Sequence, residues 1–372
     1  MDWVRGETIG CGSFATVSLA TTPGSNTKSS CLQLPSLMAV KSCNSQCCDT
    51  LKNEKNILDQ IGLCPQIIQC FGEDYTIEKG ETLYNLLLEY ASRGTVADLI
   101  KKANGGLPET DVKSYTRSML KGLRHIHSKG FAHCDIKLEN ILVCDNGDAK
   151  IADFGLAAKS GVKGEHNYNV EGESRIEYRG TPLYMSPESV NENEYSSSGD
   201  VWALGCAVSE MVSGQKVWSH RRGWNVAALL IKIGVSDELP GIPEELSEEG
   251  KDFLYKCFVK DPRNRWTAEM LLDHPFVSGV VDDDDDDVDV DTVTFKNWGD
   301  EELYSNSPRG PFDLVETVPD YYSWSDEEEE MEVGSRFDDP MDRGCSPLDR
   351  IRKLDSDQRI DWSVSGSWVT VR

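Results

Sequence analysis

Four polar side chains stand close together in the middle of the sequence: Asp135, Lys137, Asn140 and, thirteen residues past the asparagine, Asp153. They lie in His133-Cys134-Asp135-Ile136-Lys137-Leu138-Glu139-Asn140 and in Asp153-Phe154-Gly155. Two carboxylates, an ammonium and an amide at this spacing are the groups that phosphoryl transfer from a magnesium nucleotide uses. Asp135 would accept the proton of the attacking hydroxyl. Lys137 would offset charge on the transferred phosphoryl group, and Asn140 with Asp153 would hold the metal.

Elements readable in the sequence must position these groups. Trp3 to Ala20 alternates apolar and polar residues on both sides of Gly10 and Gly12, which predicts two strands and a tight turn. Glycine there lets backbone amides approach phosphate oxygens with no Cβ in the way. Leu37 to Lys41 reads as a strand that buries Val40 and presents Lys41. Asp49 to Ile61 reads as a helix with Asp49 as its N-cap, an apolar face of Leu51, Ile57, Leu58 and Ile61, and Glu54 as the carboxylate within reach of Lys41. Strands are expected over Ile67–Asp74 and Leu83–Tyr90. From Gly94 the period turns helical, with helices over Thr95–Ala103 and Pro108–Lys129, the second delivering the chain to Asp135. Lys150-Ile151-Ala152 is a short strand into Asp153.

Further motifs stand in order along the chain: Gly10-Cys11-Gly12-Ser13-Phe14-Ala15-Thr16-Val17, Met38-Ala39-Val40-Lys41, Gly180-Thr181-Pro182 and Ser186-Pro187-Glu188. Together with the central stretch they resemble the protein kinases, over residues 3 to 276. The resemblance implies an α+β, bilobal fold: a small lobe over 3–90, an antiparallel sheet with one main helix, and a mostly α-helical large lobe over 91–276. It implies ATP and Mg2+ as cofactors. The nucleotide would be held by Ile9, Gly10, Cys11, Gly12, Ser13, Phe14, Ala15, Thr16 and Val17, with Ala39 and Lys41 in the next strand. Ala15 stands where the general pattern has a third glycine; it costs loop freedom but keeps the amide. Leu88 would gate the back of the pocket, the backbone of Glu89 and Ala91 would bond adenine, and Leu142 would form its floor. Lys41 and Glu54 would form an ion pair, as would Glu188 and Arg265, and Asp200 would accept amides of the catalytic loop.

Lys137 and the Thr181 of Gly-Thr-Pro resemble the serine/threonine class, with Thr181 bridging Asp135 and Lys137. Cys134 departs from the family pattern. Most protein kinases carry an arginine before the catalytic aspartate, and that arginine pairs with a phosphate on the activation loop. A thiol cannot do so, and the expectation is weaker dependence on phosphorylation at Ser174 or Tyr178. The polar stretch 156–179 reads as a mobile activation loop.

Composition bounds the rest. The chain has 372 residues and a net charge of −26. The segment 277–372 alone carries 27 acidic and 9 basic side chains, a net of −18. Asp282 to Asp287 are consecutive aspartates and Asp326 to Glu330 a second acidic run, so this segment is expected to be a largely disordered tail, either a solvating spacer or a docking or regulatory segment. The aromatic residues Tyr321, Tyr322, Trp324, Trp362 and Trp368 set within it favour a docking or regulatory partner. Its charge argues against nucleic acid or an anionic membrane as partners. Eleven of the twelve cysteines precede residue 276 without zinc-ligand spacing. No apolar run approaches a membrane span and no signal-peptide core opens the chain, so a cytoplasmic protein is expected, with the nucleus as a second compartment left open.

Trp3-Val4-Arg5-Gly6, Gly-Cys-Gly-Ser-Phe-Ala-Thr-Val, His-Cys-Asp-Ile-Lys and Pro-Leu-Tyr-Met-Ser-Pro-Glu resemble most closely the short plant MEKK-type mitogen-activated protein kinase kinase kinases. That resemblance implies a mitogen-activated protein kinase kinase as the protein substrate. Two alternatives share the sequence features: a Ste20-like kinase on another rung of the cascade, and a pseudokinase scaffold using fold and tail only to bind.

Overall fold

The computed structural model describes residues 3–12, 15–22, 34–164, 166–168, 174–218, 226–279 and 368–370. The chain opens with β1 (Val4–Cys11), β2 (Thr16–Thr21) and β3 (Leu37–Asn44), each antiparallel to the next. Helix α1 (Asp49–Ile61) follows, then β4 (Cys70–Glu78) and β5 (Glu81–Leu88). The five strands make one antiparallel sheet in the order β1-β2-β3-β5-β4. Central β3 carries a buried run, Met38 to Val40, because both of its faces are covered: Ala39 joins the main core, and Met38 and Val40 pack in a second cluster with Ala20 and Leu87.

In α1 the residues Leu51, Glu54, Leu58 and Ile61 recur at helical spacing and are all buried, so a carboxylate stands inside an apolar stripe. Cys48, not Asp49, is the N-cap: the Lys52 N–H bonds the Cys48 carbonyl, so helical bonding starts one residue earlier than expected. Asp49 falls in the first turn, where its charge suits the helix dipole. The strand expected over 67–74 starts three residues later, because Ile67 and Ile68 turn away to bond Ile151 of a later strand.

The remainder is mostly helical. Helix α2 (Val96–Ala103) is capped by Thr95 in a reciprocal bond with Asp98. Helix α3 (Glu109–Ser128) buries Val112, Tyr115, Met119, Leu120, Leu123 and Ile126. Short strands come next: β6 (Phe131–Ala132), β7 (Ile141–Val143), β8 (Ala149–Ile151), β9 (Ala158–Lys159), β10 (Val162–Lys163), β11 (His166–Tyr168) and β12 (Ser174–Arg179). Then come α4 (Pro187–Glu192), β13 (Glu194–Tyr195) and α5 (Ser197–Ser213), which is buried from Asp200 to Met211. Helices α6 (Val226–Gly234), α7 (Glu248–Cys257), α8 (Ala268–Leu272) and α9 (Pro275–Ser278) complete this part.

One apolar cluster runs through α2, α3, α5 and α7 up to β5, so the floor beneath β6 to β8 is packed core. The segment 156–179, expected as a mobile loop, forms paired strands where it is described. β9 pairs with β6, β10 with β13, and β12 with both β11 and β14 (Trp368–Thr370). The partners of three of these strands lie far away in sequence, out of reach of local periodicity. Ser13 and Phe14 of the glycine loop, residues 23–33 and the acidic segment from 280 onward, except 368–370, lie outside the described residues.

Candidate active site

The segment His133-Cys134-Asp135 leaves β6 in an unusual backbone shape, with Cys134 at φ +66°. Asp200, buried near the start of α5, accepts the His133 N–H at 2.8 Å and the Cys134 N–H at 2.9 Å, and His127 Nε2 lies 2.9 Å from it. These bonds hold the strained residue. Cys134 itself points its thiol at the Ala132 carbonyl, 3.5 Å away.

Asp135 is 4% exposed and meets three partners. Its Oδ1 accepts from the Thr181 hydroxyl at 2.7 Å. Its Oδ2 lies 2.9 Å from Lys137 Nζ and 3.1 Å from Asn140 Nδ2. Lys137 also donates to Thr181 Oγ1 at 3.0 Å. Thr181 is brought there by Gly180, whose φ of +102° and contact with the Cys134 carbonyl, 2.5 Å from where a Cβ would stand, leave no room for a side chain. The structure therefore gathers Asp135, Lys137, Asn140 and Thr181 into one hydrogen-bonded set.

The second set is built from three elements. Lys41 in β3 lies 2.6 Å from Glu54 of α1 and 3.0 Å from Asp153. Burial works against the Lys41 charge, but the Glu54 and Asp153 carboxylates outweigh it and hold its pKa above the usual lysine range. Burial likewise opposes ionisation of Asp153, yet Lys41 keeps its pKa below the usual carboxylate range. For Glu54 burial prevails over Lys41, and its pKa is raised. Glu54 has a second task, accepting the Phe154 N–H at 3.3 Å, so it ties α1 to the Asp153 turn. Asp153 adopts φ +66° and its side chain is 39% exposed, open to a ligand.

The two sets are joined by the backbone. The Ala152 N–H donates to the Asn140 carbonyl at 2.9 Å, which ties the backbone of one expected metal ligand to the residue before the other. An amide oxygen and a carboxylate are hard oxygen donors, and Mg2+ takes one or two such protein ligands and completes its shell with phosphate and water. The donor chemistry fits that ion.

His133, to which the sequence reading gave no role, is a further link. It is fully buried; its Nδ1 accepts the Asp135 N–H at 3.3 Å, which leaves Nε2–H to donate to the Ala152 carbonyl at 3.1 Å. Its ring packs edge-on against Phe154 at 4.8 Å. A histidine two residues before a catalytic aspartate, followed by an aspartate before Phe-Gly, was the available signal.

The residues expected to contact adenine come from several elements. Ile9 and Val17 from the glycine-loop strands, Ala39 and Leu88 from the sheet, and Ala91 and Leu142 beyond it all pack on the main core cluster. The Glu89 N–H bonds the Gln69 carbonyl at 2.9 Å, so adenine can be bonded at Glu89 only through the carbonyl. Its side chain is held by Lys150 at 2.6 Å. In the loop, Gly10 pairs with Val17 and Cys11 with Thr16, while the Gly12 N–H bonds the Ala15 carbonyl. Ser13 and Phe14 are outside the described residues.

Glu188 and Arg265 form a bidentate, buried pair at 2.7 and 3.0 Å. Among the groups the sequence named for chemistry, this is the one pair remote from Asp135, and it joins α4 to the chain before α8.

Comparison with known proteins places this arrangement. Residues 3–277 match the protein kinase domain. Mitogen-activated protein kinase kinase kinase 20 of Arabidopsis thaliana is 52% identical over 378 residues, 100% of this chain and 100% of the relative. Mitogen-activated protein kinase kinase kinase 18 of the same plant is 42% identical over 74% of this chain and 78% of its own length. For mitogen-activated protein kinase kinase kinase 17 the identity is 35%, over 100% of this chain and 93% of the relative.

Proposed function

The chain belongs to the protein kinase family, and from that premise we propose that it is a serine/threonine kinase at the mitogen-activated protein kinase kinase kinase level, with mitogen-activated protein kinase kinases as its substrates. The observation that carries the reading is the set formed by Asp135, Lys137 and Thr181, with Asp153 tied to Lys41 beside it. Identity over the full length of a mitogen-activated protein kinase kinase kinase supports the substrate level.

ATP supplies the phosphoryl group, with Mg2+ as the metal that Asn140 and Asp153 would hold. Lys41, fixed in position by Glu54, presents a permanent charge to the nucleotide phosphates. Asp135 takes the proton of the substrate serine or threonine hydroxyl as it attacks. Thr181 and Lys137 fix the carboxylate orientation, and the Lys137 ammonium faces the charge that develops on the transferred group.

The acidic segment would serve as a docking region for a basic surface of a protein partner, a reading supported by its net charge of −18. Removing residues 282–344 should then raise KM for the protein substrate with little change in kcat. A cytoplasmic location is proposed, with the nucleus left open as a second compartment. No helix among the described residues is long and apolar enough to cross a membrane.

The test is transfer from labelled ATP to a panel of kinase-dead mitogen-activated protein kinase kinases by the bacterially produced chain and its Asp135→Asn variant. Transfer that disappears in the variant supports the reading. Transfer only to generic substrates would place the enzyme on another rung, and no transfer to any substrate would favour a binding scaffold.

A further inference from the structure

Beyond Asp135 and its partners, one arginine joins the two ends of the segment between the Asp153 turn and Thr181. Arg179 is the last residue of β12, two residues before Thr181. Its backbone N–H donates to the Tyr195 hydroxyl at 2.6 Å. Its guanidinium Nη1 donates to the Leu156 carbonyl at 3.1 Å, and the guanidinium carbon lies 5.8 Å from the centre of the Tyr195 ring. Leu156 is the residue after Asp153-Phe154-Gly155, so one side chain spans the exit of the metal turn and the entry to Thr181.

Tyr195 is a firm anchor. It is 4% exposed, its hydroxyl donates to Asn193 Oδ1 at 2.7 Å, and its backbone pairs with Val162 and accepts the Gly161 N–H at 2.8 Å. Arg179 and Tyr195 together therefore hold the beginning, the middle and the end of the segment. A cavity of about 30 Å³ remains beside them, lined by Cys134, Arg179, Thr181, Tyr195 and Asp200. Cys134, just after β6, and Arg179, at the end of β12, both line it.

The hydroxyls near Thr181 are already spent. Tyr178 is 2% exposed and its hydroxyl donates to the Val190 carbonyl. The Thr181 hydroxyl bridges Asp135 and Lys137. Neither can carry a phosphate without losing these bonds.

We propose that Arg179 is a positioning residue: by bonding the Leu156 carbonyl and lying over Tyr195, it holds Thr181 against Asp135 and Lys137 with no phosphate on the segment. The inference rests on the kinase reading for its effect on turnover, but its structural half does not. A lysine in its place would keep the charge and lose the fork that reaches a carbonyl while stacking on a ring.

The test uses the full chain treated with a broad phosphatase, with loss of phosphate verified by mass spectrometry, and the variants Arg179→Gln and Arg179→Lys. Both variants leave the backbone ladders of β12 untouched. Amide hydrogen exchange and steady-state kinetics on a kinase-dead mitogen-activated protein kinase kinase are measured for each. The phosphate-free wild type should retain its kcat within about twofold. Arg179→Gln should lower kcat roughly 10- to 100-fold, the scale of a small misplacement of reacting groups, with KM for ATP unchanged. Arg179→Lys should fall between them, and exchange should quicken at residues 156–157 and 178–184 in Arg179→Gln while the helices keep their protection.

Loss of activity on dephosphorylation, or an unchanged kcat in Arg179→Gln, would overturn the proposal. Unchanged exchange at 178–184 would overturn it as well, even in a chain that transfers no phosphate, so failure of the tether and failure of the kinase reading are read separately.

Discussion

Thr181 and Asp135 are 46 residues apart in the chain, yet the threonine hydroxyl donates to the aspartate Oδ1 at 2.7 Å. The threonine hydroxyl oxygen in turn accepts from Lys137 Nζ at 3.0 Å. Thr181 thus orders two charged groups at once, and its position depends on Gly180 and on the strand behind it.

Thr181→Val should therefore lose about 10- to 100-fold in kcat, the range for a hydrogen bond to a charged group worth about 1.5–3 kcal/mol. Thr181→Ser keeps the hydroxyl and should stay within a few fold of wild type. Wild-type activity in Thr181→Val together with a loss in Thr181→Ser would show that the methyl, not the hydroxyl, is what matters.

Lys41 and Glu54 should act as one unit. Glu54→Gln is expected to lower kcat/KM by roughly 10-fold or more, since the ammonium loses the partner that fixes it. The double variant Lys41→Met with Glu54→Gln should be no worse than Lys41→Met alone, because groups that work together are lost together. Additive losses would mean that the pair seen at 2.6 Å is incidental to turnover.

The Glu188–Arg265 pair predicts a stability effect away from the chemistry. The Arg265 side chain is fully buried, and Glu188→Ala would leave its charge without its carboxylate, a cost of about 3–5 kcal/mol. Thermal unfolding should show a Tm lower by roughly 10 °C. A change within 2 °C, on the scale of an exposed pair, would indicate that the carbonyls of Val259 and Ser198, which Arg265 also meets, suffice.

Gly106→Ala should be more severe than its exposed loop position suggests. A Cβ at 106 would stand 1.7 Å from the Val212 carbonyl oxygen, which is backbone near the end of α5 and cannot swing aside. Soluble yield and Tm should both fall, whereas Gly105→Ala, with open space around it, should be neutral.

Thiol labelling distinguishes two cysteines, one in the glycine loop and one beside Asp135. Cys11 is exposed between the loop glycines, and Cys134 is half-buried; burial first, and the Asp200 charge after it, push the Cys134 thiol well above its usual pKa. With N-ethylmaleimide and peptide mapping, Cys11 and Cys47 should react ahead of Cys134, and magnesium ATP should slow Cys11 while leaving the equally exposed Cys47 unaffected. Labelling of Cys11 that ignores the nucleotide would remove the glycine loop from the binding site.

Much of this protein was legible along the chain because the information is local. The glycines, Lys41, Asp135, Asn140 and Asp153 stand at fixed spacings, and α1 was readable to its last residue because its apolar stripe repeats every three to four positions. Glu54 was conspicuous for the same reason, a carboxylate set inside that stripe. Tertiary structure alone decided the rest. The segment 156–179 contains no pattern announcing strands, and β9, β10 and β12 exist through pairing with β6, β13 and β14, distant partners that supply the hydrogen bonds its polar backbone requires. Arg179 shows the same division: in sequence it is one arginine in a polar run, and only the fold brings the Leu156 carbonyl and the Tyr195 ring within its reach. Spacing in a sequence fixes which groups share a turn of helix or a loop, whereas contacts between segments depend on how the buried core closes, and no local period records that.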